Sequence, residues 1–166
     1  MGDSAMSGAE GSERRDAAIA ARRAWLAVLA KASLPELEEA WAALPDPPRW
    51  RLLRPTETGL ALVRGRIGGS GRKFNLGEMT MTRAAVQLVV EGGPAVIGFG
   101  HVAGRHLRRA ELVALFDALL QVPSRHEAVA AAVVAPLAAR QQAARAALAA
   151  KVAPSKVEFL TVVRGE

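Results

Sequence analysis

Arg64-Gly-Arg-Ile-Gly-Gly-Ser-Gly-Arg-Lys-Phe-Asn-Leu-Gly-Glu-Met-Thr-Met-Thr-Arg-Ala-Ala-Val86 forms the centre of this sequence, and Gly98-Phe-Gly-His-Val-Ala-Gly-Arg-His-Leu-Arg-Arg109 repeats its character. Together the two segments hold most of the glycines, two of the three histidines and many of the arginines. Glycine lets the backbone approach a ligand or partner closely. Arginine offers paired donors to phosphate or carboxylate. We therefore expect the working surface of the protein here.

Segments of alternating or continuous apolar character surround the glycine loop at 68–71 and predict β-strands joined by short turns. They are Trp50 to Arg54, Leu60 to Ile67, Phe74 to Val90 and Val96 to Ala103. In the second, Leu60, Leu62, Arg64 and Arg66 share one face, because side chains alternate along a strand. In the third, the apolar alternation changes phase, which predicts a β-bulge near Thr82-Arg83. Short turns between consecutive strands favour an antiparallel meander over βαβ units.

Helical periodicity flanks these strands on both sides. The first predicted helix is Arg14 to Lys31, and a second starts at Ser33-Leu-Pro-Glu36. The third is Arg105 to Gln121, with one apolar stripe made of Leu112, Leu115, Phe116 and Leu119. The last is Glu127 to Lys151, which Pro136 should divide in two. Lys156 to Arg164 alternates as a closing strand. The predicted class is α+β: an antiparallel sheet, made of a meander and a C-terminal strand, packed with N-terminal, central and C-terminal helices. Residues 1–13 predict a disordered tail, and residues 14–166 a single domain.

The composition narrows the possible chemistry. The chain has no cysteine, which excludes disulfides, cysteine-ligated zinc and a self-contained iron–sulfur cluster. The formal net charge is +6 and the isoelectric point is about 10.9, so an anionic partner fits, although arginine-rich composition has the same effect. The sequence has no signal pattern and no apolar run long enough to cross a bilayer, and we expect a soluble cytoplasmic protein.

The glycine and histidine positions match none of the known site motifs that they suggest. Lys73 does not follow a glycine, so the loop is not a Walker A motif, and Gly104 comes one residue late for a dinucleotide fingerprint. A tight hairpin turn explains each glycine loop more simply. Ala130 occupies the second histidine position of a zincin site, and the spacing of His101 and His106 does not support a metal site. We predict no catalytic and no metal-binding residues.

Cations are concentrated beside the glycine loop and at the start of the third helix. Cations in a first helical turn oppose the helix dipole, and a bound anion would offset that cost, whereas a solvated polar face explains them without a ligand. The candidate residues for substrate binding or a subunit interface are Arg64, Arg66, Gly68, Gly69, Gly71, Arg72, Lys73 and Arg105.

An ordered series of short segments resembles one known family. The segments are Arg54-Pro-Thr-Glu-Thr-Gly59, Gly68-Gly-Ser-Gly71, Thr82-Arg-Ala-Ala-Val86, Gly104-Arg105, the helix from Ala110 to Leu120, Ala135-Pro-Leu137 and Val162-Val-Arg-Gly165. This pattern, from Ala17 to Glu166, is similar to PhnG, the G subunit of the bacterial carbon–phosphorus lyase core complex. No single segment is diagnostic, but their order and spacing are specific.

The resemblance implies a subunit of an enzyme used in phosphonate catabolism. In that family the G subunit works with the H, I and L subunits to displace the base of ATP or GTP with a phosphonate. The product is α-D-ribose 1-methylphosphonate 5-triphosphate. The I subunit is implied to carry the nucleosidase chemistry. Iron–sulfur cluster and S-adenosylmethionine belong to a partner, the J subunit; the K and L subunits are ATPase-like. No cofactor is expected on this chain, and neither a nucleic acid nor a membrane is an expected partner.

Two other functions stay open from the residues alone. A free-standing basic module that binds nucleic acid fits the isoelectric point, but the aromatics that stack on bases are sparse. An independent nucleotide-binding enzyme would use the glycine loop, whose spacing fits no known motif.

Overall fold

In a computed structural model, residues 3–66, 71–89 and 94–155 are described. Within these ranges the helices are α1 (Asp3–Leu29), α2 (Leu34–Ala42), α3 (Leu107–Leu120), α4 (Pro123–Val129) and α5 (Ala135–Val152). The strands are β1 (Trp50–Leu52), β2 (Glu57–Gly65), β3 (Phe74–Leu88) and β4 (Val96–Ala103). The strands form one antiparallel sheet on which the helices pack. The predicted α+β class is confirmed.

The long strand β3 is the centre of the sheet. β1 and β2 pair one after the other along the same edge of β3, with Leu52 opposite Val86 and Glu57 opposite Arg83. β4 pairs with the other edge of β3. The predicted meander is therefore confirmed, with β1 and β2 as two parts of one edge.

The predicted bulge at Thr82-Arg83 is wrong. Both neighbours of β3 keep a continuous register through those two residues. The apolar residues before and after that point lie on opposite faces of a regular strand, because they are odd-numbered and even-numbered respectively. The register instead shifts between Val63 and Arg64, where the hairpin has left the rest of the sheet.

The core lies between the sheet and α3. The predicted stripe on α3 is confirmed, because Leu112, Leu115, Phe116 and Leu119 are all fully buried. Burying a side chain of this size stabilises the fold by about 1.5–3 kcal/mol. Trp41 of α2 packs edge-on against Phe116, with ring centroids 5.9 Å apart.

The predicted start of α2 is confirmed. Both the backbone N–H and the hydroxyl of Ser33 donate to the Glu36 carboxylate, each at 2.8 Å. These bonds, the backbone one first, lower the pKa of Glu36 below its ordinary value, and Arg140 nearby adds to the effect. The positive end of the helix dipole also stabilises a carboxylate at this position.

The C-terminal helical region is continuous rather than divided in two. α4 leads through a π-helical segment, Ala130–Val134, into α5, and the Ala135 N–H donates to the Ala130 carbonyl. Pro136 lies in the first turn of α5 and has no N–H to donate, so the wider π turn accommodates it without ending the helix. The strand predicted at 156–164 lies outside the described residues.

The N-terminal helix is longer than the sequence predicted. α1 begins at Asp3, whereas a tail without regular structure was expected to about residue 13. Residues 12–21 are all exposed, and their alanines, arginines and glutamate favour a helix through intrinsic propensity. The division of the chain into a tail and a domain at residue 13 stays a prediction.

Candidate functional site

The hairpin of β2 and β3 extends beyond the rest of the sheet. β4 pairs only with the part of β3 from Met81 to Leu88. Among the strands of the described residues, residues 60–65 of β2 and 74–80 of β3 therefore pair only with each other; we call this segment the β2–β3 ribbon. At roughly 3.4 Å per residue it is about 20 Å long.

The candidate cations gather at the far end of this ribbon. Arg64, Arg66, Arg72 and Lys73 are all exposed there. The Arg66 guanidinium donates to the Gly71 carbonyl, which draws the two sides of the hairpin end together. Gly71 has φ of 82°, a conformation that glycine adopts without strain. Gly68 and Gly69 lie outside the described residues.

Arg105 lies at the other end of the ribbon. The neighbouring Gly104 N–H donates to the Thr80 carbonyl at 2.9 Å, which places Arg105 at the base. Thr80 lies six residue steps along β3 from Phe74, a distance of about 20 Å. The structure thus brings the ribbon-end candidates together and leaves Arg105 apart from them.

Large apolar side chains of the ribbon face solvent. The exposed fractions are 68% for Leu60, 56% for Leu62, 59% for Leu76 and 41% for Phe74. Leu60 and Leu62 share a face of β2 with Thr58, because the register is regular from 57 to 63. The period of two along β2 predicts that the two leucines and Arg64 share one face, but it does not indicate whether that face is covered.

Hydrogen bonds attach the base of the ribbon to the start of α3. The fully buried Thr82 donates its hydroxyl to the Gly104 carbonyl at 2.6 Å and accepts from the His106 N–H at 3.1 Å. The Thr58 hydroxyl oxygen lies 3.1 Å from the Thr82 hydroxyl oxygen. A buried hydroxyl with several partners holds the strand pair in one orientation on the helix.

The cations in the first turn of α3 have partners within the chain. Arg108 lies 4.0 Å from the Glu38 carboxylate and 3.7 Å from that of Glu111. Arg109 donates to the Ala103 carbonyl at 3.2 Å. The carboxylates of the protein itself thus offset the opposition between these cations and the helix dipole. A bound anion is not needed to explain them.

The Gly98-Phe-Gly100 motif has a packing role. A Cβ atom added to Gly100 would lie 2.0 Å from the Ala110 carbonyl oxygen, and one added to Gly98 would lie 2.0 Å from that of Ala114. The two glycines therefore allow the backbone of α3 to lie directly on β4. This close approach accounts for the glycine spacing without a nucleotide.

A buried carboxylate, missed by the sequence analysis, joins three elements. Asp117 is fully buried on α3 and accepts from Arg22 Nε at 3.0 Å and Nη2 at 2.6 Å, and from Trp25 Nε1 at 2.9 Å. The Phe99 N–H at the outer edge of β4 donates to it at 2.9 Å, and Gln121 Nε2 lies within 3.3 Å. A carboxylate with this many donors is a structural acceptor. The one sequence signal was an aspartate within the otherwise apolar run from Leu112 to Leu120.

The three histidines have different surroundings. His101 is exposed on β4, and His106 precedes α3. His126 Nδ1 lies 2.6 Å from the Leu120 carbonyl oxygen, and its ring meets Trp25 edge-on with centroids 5.6 Å apart. Among the described residues, no group of three or more histidine, aspartate or glutamate side chains is arranged to hold a metal ion.

A cleft of about 570 Å³ opens at the end of the sheet opposite the ribbon tip. Leu88, Leu119 and Val122 contribute apolar walls, and Arg49 and Arg125 contribute cations. Arg125 donates to the Asp46 backbone carbonyl at 2.6 Å and to its carboxylate at 3.0 Å. Since one of the two cations is already paired, the cleft offers little charge to an anionic ligand.

Comparison with known proteins agrees with the sequence pattern. The family model described as phosphonate metabolism protein PhnG matches residues 20–165. The chain belongs to the PhnG family. A relative from Rhizobium meliloti (strain 1021), named alpha-D-ribose 1-methylphosphonate 5-triphosphate synthase subunit PhnG, is 44% identical over 151 residues. That alignment covers 91% of this chain and 94% of the relative.

The PhnG match includes every strand and every helix after α1, together with the C-terminal part of α1. The ribbon and the glycines under α3 therefore lie inside the family region. Within the described ranges, none of the helices is both long and apolar enough to cross a membrane.

Proposed function

We propose that this chain is a subunit of a synthase that makes α-D-ribose 1-methylphosphonate 5-triphosphate in phosphonate catabolism. The observation that carries the proposal is the 44% identity to a synthase subunit across 94% of that subunit. Identity at this level over nearly the whole length indicates the same fold and favours the same place in an assembly.

In the proposed reaction, the assembled enzyme transfers a ribosyl triphosphate group. An oxygen of the phosphonate forms a bond to C1′ of the ribose of ATP or GTP. The C1′–N9 bond to the purine breaks, and the base leaves after it takes up a proton. The proposed partners are the H, I and L subunits for this step, with the J and K subunits in the larger complex. Iron–sulfur and S-adenosylmethionine chemistry is assigned to the J subunit, and the assembly is placed in the cytoplasm.

We assign this chain a supporting role rather than the catalytic one. The buried acid that would be a natural general base, Asp117, accepts five hydrogen bonds from the protein itself. Its side chain is fully buried and its oxygens are occupied by these donors, so they are not open to a substrate. The exposed apolar ribbon and the exposed residues 12–21 of α1 also favour a protein that is completed by neighbours.

Reconstitution from purified subunits tests the proposal. The chain alone, the H, I and L subunits without it, and the full set are each incubated with ATP and methylphosphonate, and adenine release is measured. We expect turnover only from the full set. Adenine release by this chain alone at the rate of the full set would refute the supporting role. Full turnover without the chain would refute its membership in the synthase.

A further inference from the structure

The β2–β3 ribbon combines features that a solvated hairpin does not need. Its four large apolar side chains are between 41% and 68% exposed. Strands that face water on one side normally alternate apolar and polar residues, and an isolated two-stranded hairpin is marginal in water. A ribbon of about 20 Å with exposed leucines therefore gains stability when another surface covers it.

We propose that the ribbon inserts into an apolar groove on a partner protein, and that carboxylates surround the groove where the ribbon ends. The proposal rests on the proposed function, because the partner is taken to be one of the other synthase subunits. In this arrangement Leu60, Leu62 and Leu76 supply the buried contact, and the cations at the ribbon end supply orientation.

The charge of the ribbon defines the chemistry of the partner. Arg64, Arg66, Arg72 and Lys73 lie at its far end, and Glu78 is the one acidic residue in the described part of the hairpin, residues 60–66 and 71–80. Among the described residues, these four cations form no salt bridge, whereas several other arginines do. Charge complementarity therefore selects a groove with acidic residues at its closed end.

The apolar side chains decide between a protein and a phosphate ligand. A triphosphate alone would use the cations and leave the leucines exposed. A protein groove uses both, because interfaces combine a desolvated apolar centre with a charged rim. The hydrogen bonds of Thr82 at the base hold the ribbon in a fixed direction, so little conformational freedom is lost when it binds.

The test measures binding of the full chain to each partner subunit, singly and together, by biolayer interferometry at low and high salt. One variant replaces Leu60 and Leu62 with serine. Its matched control also introduces serine, at Leu107 and Leu148, which lie outside the ribbon and are 51% and 62% exposed. All four leucines are exposed, so the variants should fold, and circular dichroism checks this.

We expect the ribbon leucine variant to raise Kd by about tenfold or more at both salt concentrations, mainly through faster dissociation. The matched control should bind as the wild type does. A second pair replaces Arg72 and Lys73 with alanine, against alanine at the exposed Arg14 and Arg15. Loss of the ribbon cations should slow association at low salt, and the difference should shrink at high salt.

Hydrogen exchange gives an independent measurement that needs no variant. On complex formation, amides of residues 60–65 and 74–80 should gain protection. The proposal would be overturned by unchanged exchange of these amides on complex formation. It would also be overturned if the matched leucine control lost as much affinity as the ribbon variant, or if the ribbon held a homodimer together. An arginine–lysine variant that binds every partner normally and shows only a raised KM for ATP would overturn it too.

The two proposals fail in different ways. If the wild-type chain binds none of the synthase subunits, the proposed function is wrong and the ribbon inference falls with it. If the wild-type chain binds and the ribbon variants bind equally well, the subunit assignment stands and the ribbon inference alone is wrong.

Discussion

Replacement of Gly100 by alanine should strongly destabilise the protein. The new Cβ would lie 2.0 Å from the Ala110 carbonyl oxygen and 2.8 Å from the Ala114 nitrogen, whereas ordinary contacts begin at 3.4 Å. Both are backbone atoms of α3, which cannot turn aside as a side chain can. The helix must move away from β4 or the strand must bend.

The magnitude follows from what that movement disturbs. α3 carries most of the fully buried side chains of the core, so a retreat of the helix loosens contacts along its whole inner face. Forcing extra atoms into a packed core costs about 1–3 kcal/mol, and two backbone overlaps place this change at about 3 kcal/mol. For a chain of this size that corresponds to a fall in Tm of about 6–12 °C.

Gly59→Ala is the matched control. Gly59 also lies in a strand of the sheet, but an added Cβ would meet nothing within 4 Å. Because both variants replace glycine with alanine, their effects on the unfolded chain are similar. Urea unfolding followed by tryptophan fluorescence gives both free energies. A Gly100→Ala protein within about 1 kcal/mol of Gly59→Ala would refute the close-approach argument.

Two further predictions concern carboxylates. Asp117→Ala should lower the free energy of unfolding by about 3 kcal/mol or more, because it leaves Arg22 and buried donors unpaired. The side chain of Asp46 is 84% exposed, so Asp46→Ala should cost about 1 kcal/mol or less in the same denaturation assay. Equal costs would contradict the structural role of Asp117. Glu36→Gln should cost about 0.3–1 kcal/mol at neutral pH. Since the folded-state pKa of Glu36 is lowered, its contribution is complete above the ordinary value of 4.5 and is lost as the pH falls through the folded-state pKa. Urea unfolding of both proteins at neutral and at strongly acidic pH measures this, and a gap that persists in acid would show that the charge is not the cause.

Local patterns in the sequence were sufficient for the elements and their order. The start of α2 at Ser33 and Glu36 depends on contacts three residues apart, and the stripe on α3 depends on helical periodicity alone. β4 has the predicted bounds, Val96–Ala103, because a turn signal precedes it and a glycine follows. The PhnG resemblance likewise needed only the order of short motifs along the chain.

Register and helix continuity needed more than local pattern. The phase change in β3 suggested a bulge, since the sequence does not show that both faces of a strand can carry apolar residues in turn. Pro136 suggested a break, and the π-helical segment before it was not predictable from propensity. Strand register and helix continuity both depend on which backbone N–H and C=O groups form hydrogen bonds. Segments that are distant in sequence determine those hydrogen bonds.

The sequence by itself determined the fold class, the order of the elements, the absence of cysteine chemistry and the PhnG resemblance. Tertiary structure alone decided the roles of particular residues. It placed Gly98 and Gly100 beneath α3, buried Asp117 among its donors and left Leu60 and Leu62 exposed on a ribbon. The physical reason is distance along the chain. Propensity and periodicity act within a few residues, whereas burial and close approach depend on residues that are brought together from 10 to 95 positions apart.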